Sequence, residues 1–174
     1  VIIGNEILSG RTVDQNTNFI AKRCVKLGVI ISEVRIIPDI KKIIKAVVIN
    51  ASKNHKYVFV TGGIGPTHDD ITAQSIAEAF NRKLVLNKLA KQLLVKHYEN
   101  SNIKLNESRM KMAYVPLRSK LIMNPVSAAP GFKVKNVWVM AGVPKIMQAM
   151  FIESVEPKLT KGKEILSKTV QINN

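Results

Sequence analysis

The chain has 174 residues, one cysteine and a formal net charge of +15, from 27 Lys and Arg against 12 Asp and Glu residues. This length suits one domain with a sizeable core, and a lone cysteine excludes both a disulfide framework and a cysteine-rich zinc site. No apolar run approaches the roughly 20 residues that span a bilayer, and the lysines are dispersed without interleaved aromatic residues. We therefore expect a cytoplasmic protein with no specific nucleic-acid partner and no membrane contact.

The first half of the chain alternates between strand-like and helix-like segments. Strands are predicted over residues 1–3, 29–37 and 57–61, and helices over 13–27, 41–52 and 71–80. The pattern Thr12-x-x-Gln15 is typical of a capping box, and Gly28 closes the same helix. This alternation predicts a parallel sheet covered on both faces. Since Val1 lies within a strand and no Met precedes it, we expect further residues upstream.

The second half is less regular. A helix is predicted over residues 87–99, and Asn106 can cap a short helix that ends near Ala113. Residues 116–131 are predicted to be irregular, whereas 132–134 and 137–140 resemble a hairpin. Pro144 suits the first turn of a helix over 145–155, and 169–172 is strand-like. We assign residues 1–159 to one α/β domain and residues 160–174 to a C-terminal strand or linker segment.

The segment Thr61-Gly-Gly-Ile-Gly-Pro-Thr-His-Asp-Asp70 carries the clearest functional signal. It follows a predicted strand and precedes a helix whose first turn is predicted to hold Asp69 and Asp70. Glycines let a ligand approach the backbone closely, and a helix N-terminus attracts anions. Two carboxylates there would repel a bare phosphate, which predicts a divalent cation between them. The alternative is an ordinary strand-to-helix turn with an Asp cap, but one Asp suffices for a cap.

A second acidic segment is predicted to share this pocket. Residues 4–6 follow the first strand, and the carboxyl ends of parallel strands meet at one edge of a sheet. Of the twelve acidic residues, four lie in the two segments or shortly after the first of them: Glu6, Asp14, Asp69 and Asp70. In so basic a protein, a local acidic cluster is suited to hold a metal ion within a field that attracts anionic substrates.

Four motifs in chain order, over residues 4–10, 61–72, 124–132 and 142–144, identify a family resemblance. Together they resemble the molybdopterin-binding-like domain of the competence/damage-inducible protein A (CinA) family, which also forms the N-terminal half of eukaryotic FAD synthases. The resemblance implies a three-layer α/β/α sandwich with a mostly parallel sheet that assembles as a homodimer or homotrimer. It also implies a pocket for a pyrophosphate-linked nucleotide or a pterin phosphate such as molybdopterin.

Roles for individual residues follow from the same resemblance. Asp70, Asp69 and Glu6 would be catalytic, and Asp69 and Asp70 would hold a divalent metal, Mg, Mn or Co. The ligand would be bound by Gly4, Asn5, Thr61, Gly62, Gly63, Gly65, Pro66, Thr67, Asn124, Ser127, Ala128, Gly142 and Pro144. The chain has Gly-Gly-Ile-Gly where molybdopterin adenylyltransferases have Gly-Gly-Thr-Gly, which disfavours a dedicated role in molybdenum-cofactor synthesis.

Three functional classes stay open at this stage. The leading prediction is a metal-dependent hydrolase of nucleotide-linked pyrophosphates of the ADP-ribose or FAD type. The first alternative is a non-catalytic molybdopterin- or nucleotide-binding protein connected with molybdenum cofactor metabolism, and the second is an oligomerisation or interaction domain. His68 is a candidate general base, although a surface histidine beside a cap is the commoner role of such a residue.

Overall fold

A computed structural model describes residues 1–99 and 101–162. Its strands, in chain order, are β1 (Ile2–Ile3), β2 (Ile36–Ile37), β3 (Val58–Thr61), β4 (Leu84–Leu86), β5 (Tyr114–Pro116), β6 (Lys120–Ile122), β7 (Gly131–Val134) and β8 (Val137–Met140). Six of them form one sheet in the order β2-β1-β3-β8-β7-β6, while β4 and β5 pair separately. The pairs β2–β1, β1–β3 and β3–β8 are parallel, and β8–β7 and β7–β6 are antiparallel. The sheet is therefore mostly parallel, as predicted.

Helices cover both faces of the large sheet. The α-helices of the described residues, in chain order, are α1 (Asn5–Leu8), α2 (Asn16–Lys26), α3 (Lys41–Asn54), α4 (Thr72–Ala79), α5 (Lys88–Glu99), α6 (Glu107–Met110) and α7 (Pro144–Met150). Buried residues of α3 and α4 pack with Val58 and Val60, whereas α2 and α7 contribute to a core that contacts Tyr57 and Phe59. Successive residues of a strand point to opposite faces, so β3 serves both cores. The three-layer α/β/α sandwich is confirmed.

The core near α2 contains the single cysteine. Cys24 is fully buried, as the sequence predicts for a core residue. Burial, with a smaller effect of the Glu156 charge, raises the pKa of its thiol to about 11. A thiol with so high a pKa stays protonated at neutral pH and is a poor nucleophile.

Two expectations about the strand over 29–37 and the start of α2 are wrong. The predicted strand 29–37 pairs only at Ile36–Ile37, because the neighbouring β1 offers only two paired residues. The predicted capping box is also wrong: α2 begins at Asn16, and the Asp14 carboxylate accepts hydrogen bonds from the N–H groups of Asn16 and Thr17. An Asp two residues before the first helical N–H group serves as well as a Ser/Thr cap.

In the second half, the hairpin and the Asn106 cap are confirmed, since β7 and β8 are antiparallel and Asn106 Oδ1 accepts from Arg109 N. The segment predicted as irregular, 116–131, contains β6, and the last helix changes to a π turn at Phe151–Val155. The predicted strand 169–172 lies outside the described residues. Among the described residues, no helix is long and apolar enough to span a bilayer.

Candidate functional site

The carboxyl ends of β1, β3 and β8 meet at one edge of the sheet. The N–H of Gly62 donates to the carbonyl of Met140 at 3.2 Å, and a Cβ placed on Gly142 would lie 3.2 Å from Gly62 Cα. The N–H of Gly4 donates to the carbonyl of Ile37, again at 3.2 Å. Since these strands are parallel, their following loops share one side of the sheet. The structure thus brings the predicted segments 4–6, 62–65 and 142–144 together.

Two glycines in this loop are required by its geometry. Gly62 and Gly63 have φ angles of +104° and +66°, which side chains rarely tolerate. A Cβ on Gly62 would overlap the carbonyl oxygen of Ile3, and one on Gly63 would overlap Thr72 Oγ1. The loop therefore packs backbone to backbone against the end of β1.

The Gly-rich loop also presents free hydrogen-bond donors. Within the described part of the chain, the N–H groups of residues 63–65 donate to no other group. The flanking N–H groups do have partners, since Gly62 donates to Met140 and Thr67 donates to Asp70. Free backbone N–H groups in a loop between a strand and a helix are the donors that bind phosphate oxygens. This arrangement can bind an anion.

Asp70 lies against the loop and not in the helix. Its Oδ2 accepts from Thr67 N at 2.9 Å and from Thr67 Oγ1 at 2.6 Å, and a Cβ on Gly65 would lie 2.7 Å from the same oxygen. The expectation that the first turn of the helix carries two carboxylates is wrong, because α4 begins at Thr72 and has no acidic residue there. Asp70 instead sets the shape of the loop.

Asp69 has a different environment. Its side chain is 75% exposed, and its Oδ1 lies 3.1 Å from Nε2 of His68, which is 91% exposed. No group of three or more His, Cys, Asp or Glu side chains in the described residues is placed to hold a metal ion by itself. A metal bound by Asp69 and Asp70 stays a prediction, and the described geometry gives those two carboxylates different partners.

Asp39 is a site residue that the sequence analysis missed. Its Oδ2 accepts from Asn5 N at 3.0 Å, and a Cβ on Gly63 would lie 3.6 Å from its Oδ1. Burial raises the pKa of the Asp39 carboxyl, and the charges of Glu6 and Asp70 raise it further. The sequence position of Asp39 did offer a signal. Asp39 follows β2, and because β2 is parallel to β1, the residues after both strands lie at the same edge of the sheet. The sequence analysis interpreted Asp39 only as the end of a strand and therefore overlooked that signal.

The raised pKa of Asp39 leads to a stability prediction. A carboxyl whose pKa is higher in the folded state binds protons more tightly there, so stability falls as pH rises from its ordinary pKa through the raised one. Asp39→Asn should remove this pH dependence and stabilise the protein at pH 7, since an amide oxygen can still accept from Asn5. Urea unfolding at pH 4, 5 and 7 measures both effects. A variant less stable than wild type at pH 7 would contradict the prediction.

The loop after β6 lies at the same end of the sheet, but three strands from β3. Asn124 is 6% exposed, donates to Ser127 Oγ and the carbonyl of Ala129, and accepts from the N–H groups of Val126 and Ser127. The Asn124 side chain thus organises its own loop. The predicted contact of Asn124, Ser127 and Ala128 with a ligand remains a prediction.

The turn at Gly142 is attached to α2. Asn16, 5% exposed, donates from Nδ2 to the carbonyl of Gly142 at 2.8 Å. The sequence analysis did not anticipate this contact. Pro144 begins α7 directly after the turn, so the predicted residues Gly142 and Pro144 are held between two helices.

A wider cavity of about 360 Å³ lies elsewhere, beneath residues 28–35 and beside Val1 and Phe59. Among the predicted site residues, it is lined only by Thr61. The Gly-rich loop has a smaller adjoining cavity of about 50 Å³, bounded by Gly65, Asp70 and Lys111. Phosphate groups bind exposed backbone N–H groups, so volume alone does not locate the candidate site.

Comparison with known proteins agrees with this fold. A family model described as a probable molybdopterin binding domain matches residues 1–161. A protein of Archaeoglobus fulgidus is 42% identical over 173 residues, which cover 99% of this chain and 72% of that protein. The crystal structure of a CinA protein from Thermoplasma acidophilum is 34% identical, with a TM-score of 0.77 over 87% of this chain and 90% of that chain. A MoaB molybdopterin biosynthesis enzyme from Thermus thermophilus, 17% identical with a TM-score of 0.59, covers 91% of this chain and 87% of its own and shares the fold.

Proposed function

Since the chain belongs to the family described as the probable molybdopterin binding domain, we propose that it hydrolyses nucleotide-linked pyrophosphates such as ADP-ribose or FAD with a divalent cation. One observation carries this proposal. Three consecutive free N–H groups, at residues 63–65, lie beside the carboxylates of Asp39 and Asp70. Donors of this kind suit phosphate oxygens, and the carboxylates suit a cation that accompanies the phosphates.

The residues fit a cation that arrives with the substrate better than one held in a protein cage. Mg²⁺ is commonly bound by one or two carboxylates together with substrate phosphates and waters. Burial raises the pKa of Asp39, and the negative charges of Glu6 and Asp70 raise it further. A cation carried by the substrate phosphates near these side chains would relieve that repulsion. When bound, it would neutralise phosphate charge and activate a water molecule.

The chain's own groups then have distinct tasks. The N–H groups of residues 63–65 would bind the phosphoryl oxygens and stabilise the negative charge that develops on them. Asp70 fixes the loop by accepting two hydrogen bonds from Thr67. The carboxylate of Asp39, held in place by Asn5 N, would accept a proton from the attacking water. Because its pKa is raised, Asp39 is a better proton acceptor than an ordinary surface carboxylate.

The test is release of AMP from ADP-ribose, FAD and NAD, each with Mg²⁺, Mn²⁺ or Co²⁺ and with EDTA as the control. We expect release from at least one substrate, abolished by EDTA. No release from any substrate by the folded protein would reject the hydrolase.

The second candidate is a molybdopterin- or nucleotide-binding protein without catalysis. It is favoured by one observation: residues 1–161 match the family model described as a probable molybdopterin binding domain. Calorimetry with metal-free protein and ADP-ribose separates the two candidates. Tight binding without product after metal addition would favour the binding protein.

A further inference from the structure

One lysine reaches the Gly-rich loop from a distant part of the chain. Lys111 Nζ donates to the carbonyl of Thr67 at 2.8 Å. Lys111 also borders the cavity of about 50 Å³ that Gly65 and Asp70 line. Its ammonium group therefore lies at the same loop whose free N–H groups and carboxylate form the candidate site.

The backbone of Lys111 is held firmly in place. It begins the 3₁₀ turn Lys111–Ala113, directly after α6, whose first turn is capped by Asn106. Ala113 is fully buried, and its carbonyl accepts from Asn87 N at 2.9 Å. The lysine side chain itself is exposed. A fixed backbone with a long exposed side chain lets the ammonium group change partners without refolding the loop.

The charges of the site favour such a group. Among the described residues, no Lys or Arg forms an ion pair with Glu6, Asp39 or Asp70. These three negative groups would oppose a phosphorylated ligand unless positive charge lies nearby. A carbonyl is a weaker partner for an ammonium group than a phosphate oxygen, because a hydrogen bond between two charged groups is roughly twice as strong.

We propose that Lys111 binds the phosphate groups of the ligand, exchanging the Thr67 carbonyl for a phosphate oxygen, and so selects phosphorylated over unphosphorylated nucleosides. The inference rests on the proposed function only in assuming that this pocket takes a phosphorylated ligand. It assigns a binding role to the smaller unit around β4 and β5, which the Gly-rich motif does not include.

The test compares Lys111→Met, Lys111→Arg and the control Lys91→Met by calorimetry with ADP-ribose, inorganic pyrophosphate and adenosine. Lys91 is also exposed and lies on α5 of the same unit. We expect Lys111→Met to weaken ADP-ribose and pyrophosphate binding about tenfold or more, as loss of a charge-assisted bond does. Adenosine binding should not change. Lys111→Arg should restore most of the affinity, and salt should weaken ADP-ribose binding less in Lys111→Met than in wild type.

The outcomes separate this inference from the proposed hydrolase. If wild type binds pyrophosphate through Lys111 but releases no AMP with any metal, the hydrolase fails and the role of Lys111 stands. If Lys111→Met binds pyrophosphate as wild type does, or loses adenosine affinity equally, the role of Lys111 is overturned. An equal loss in Lys91→Met would also overturn it. Wild-type protein that binds none of the three probes would reject both proposals.

Discussion

Gly62→Ala is expected to lower the free energy of unfolding by about 3 kcal/mol or more, combining backbone strain with overpacking. The φ angle of Gly62 is +104°, and an added Cβ would overlap the carbonyl oxygen of Ile3. The residue cannot withdraw easily, because its N–H donates to the carbonyl of Met140 across the sheet. The ends of three strands meet here, so the same change should also abolish ligand binding.

Gly10→Ala is the matched control. Gly10 also has a positive φ, +75°, but a Cβ there would meet nothing within 4 Å. Gly10→Ala should lower the free energy of unfolding only by the backbone strain, about 1–2 kcal/mol. Urea unfolding followed by circular dichroism measures both variants. Equal losses in the two would mean that the close approach of Gly62 to Ile3 contributes nothing.

Asp70→Asn is expected to lower kcat/KM for AMP release by about 100-fold or more, within the range for a positioned catalytic group. The amide oxygen of Asn can still accept from Thr67, so the loop should keep its shape. What is lost is the negative charge next to Gly65, where the cation and the phosphates would bind. The melting temperature should therefore change far less than the activity.

Asp69→Asn is the informative comparison, because the two carboxylates are adjacent in sequence but differently placed. Asp69 is 75% exposed and contacts His68. We expect its variant to retain activity within about threefold of wild type, because an exposed contact of this kind contributes little. Equal losses in both variants would instead favour the paired metal ligands that the sequence predicts. Full activity in Asp70→Asn would remove Asp70 from the mechanism.

Much of the fold could be predicted from local pattern. The alternation of apolar strands with amphipathic helices predicted the layered α/β architecture, and the Val137–Met140 run next to residues 132–134 predicted the hairpin. These features depend on periodicity and turn chemistry within a few residues, which the sequence records directly. The prediction of a strand over 29–37 was wrong because strand pairing depends on a neighbouring strand. The neighbour, β1, pairs with only two of those residues.

The candidate site could likewise be predicted only in part from the sequence. The Gly-rich segment, its position after a strand and its proximity to residues 4–6 follow from sequence alone, because parallel strands end at one side of a sheet. Only the tertiary structure decided that Asp39 and Lys111 face this loop and that Asp70 turns back to Thr67. Side-chain direction and contacts between distant segments depend on packing among all the elements at once. No local pattern within the chain encodes those two properties.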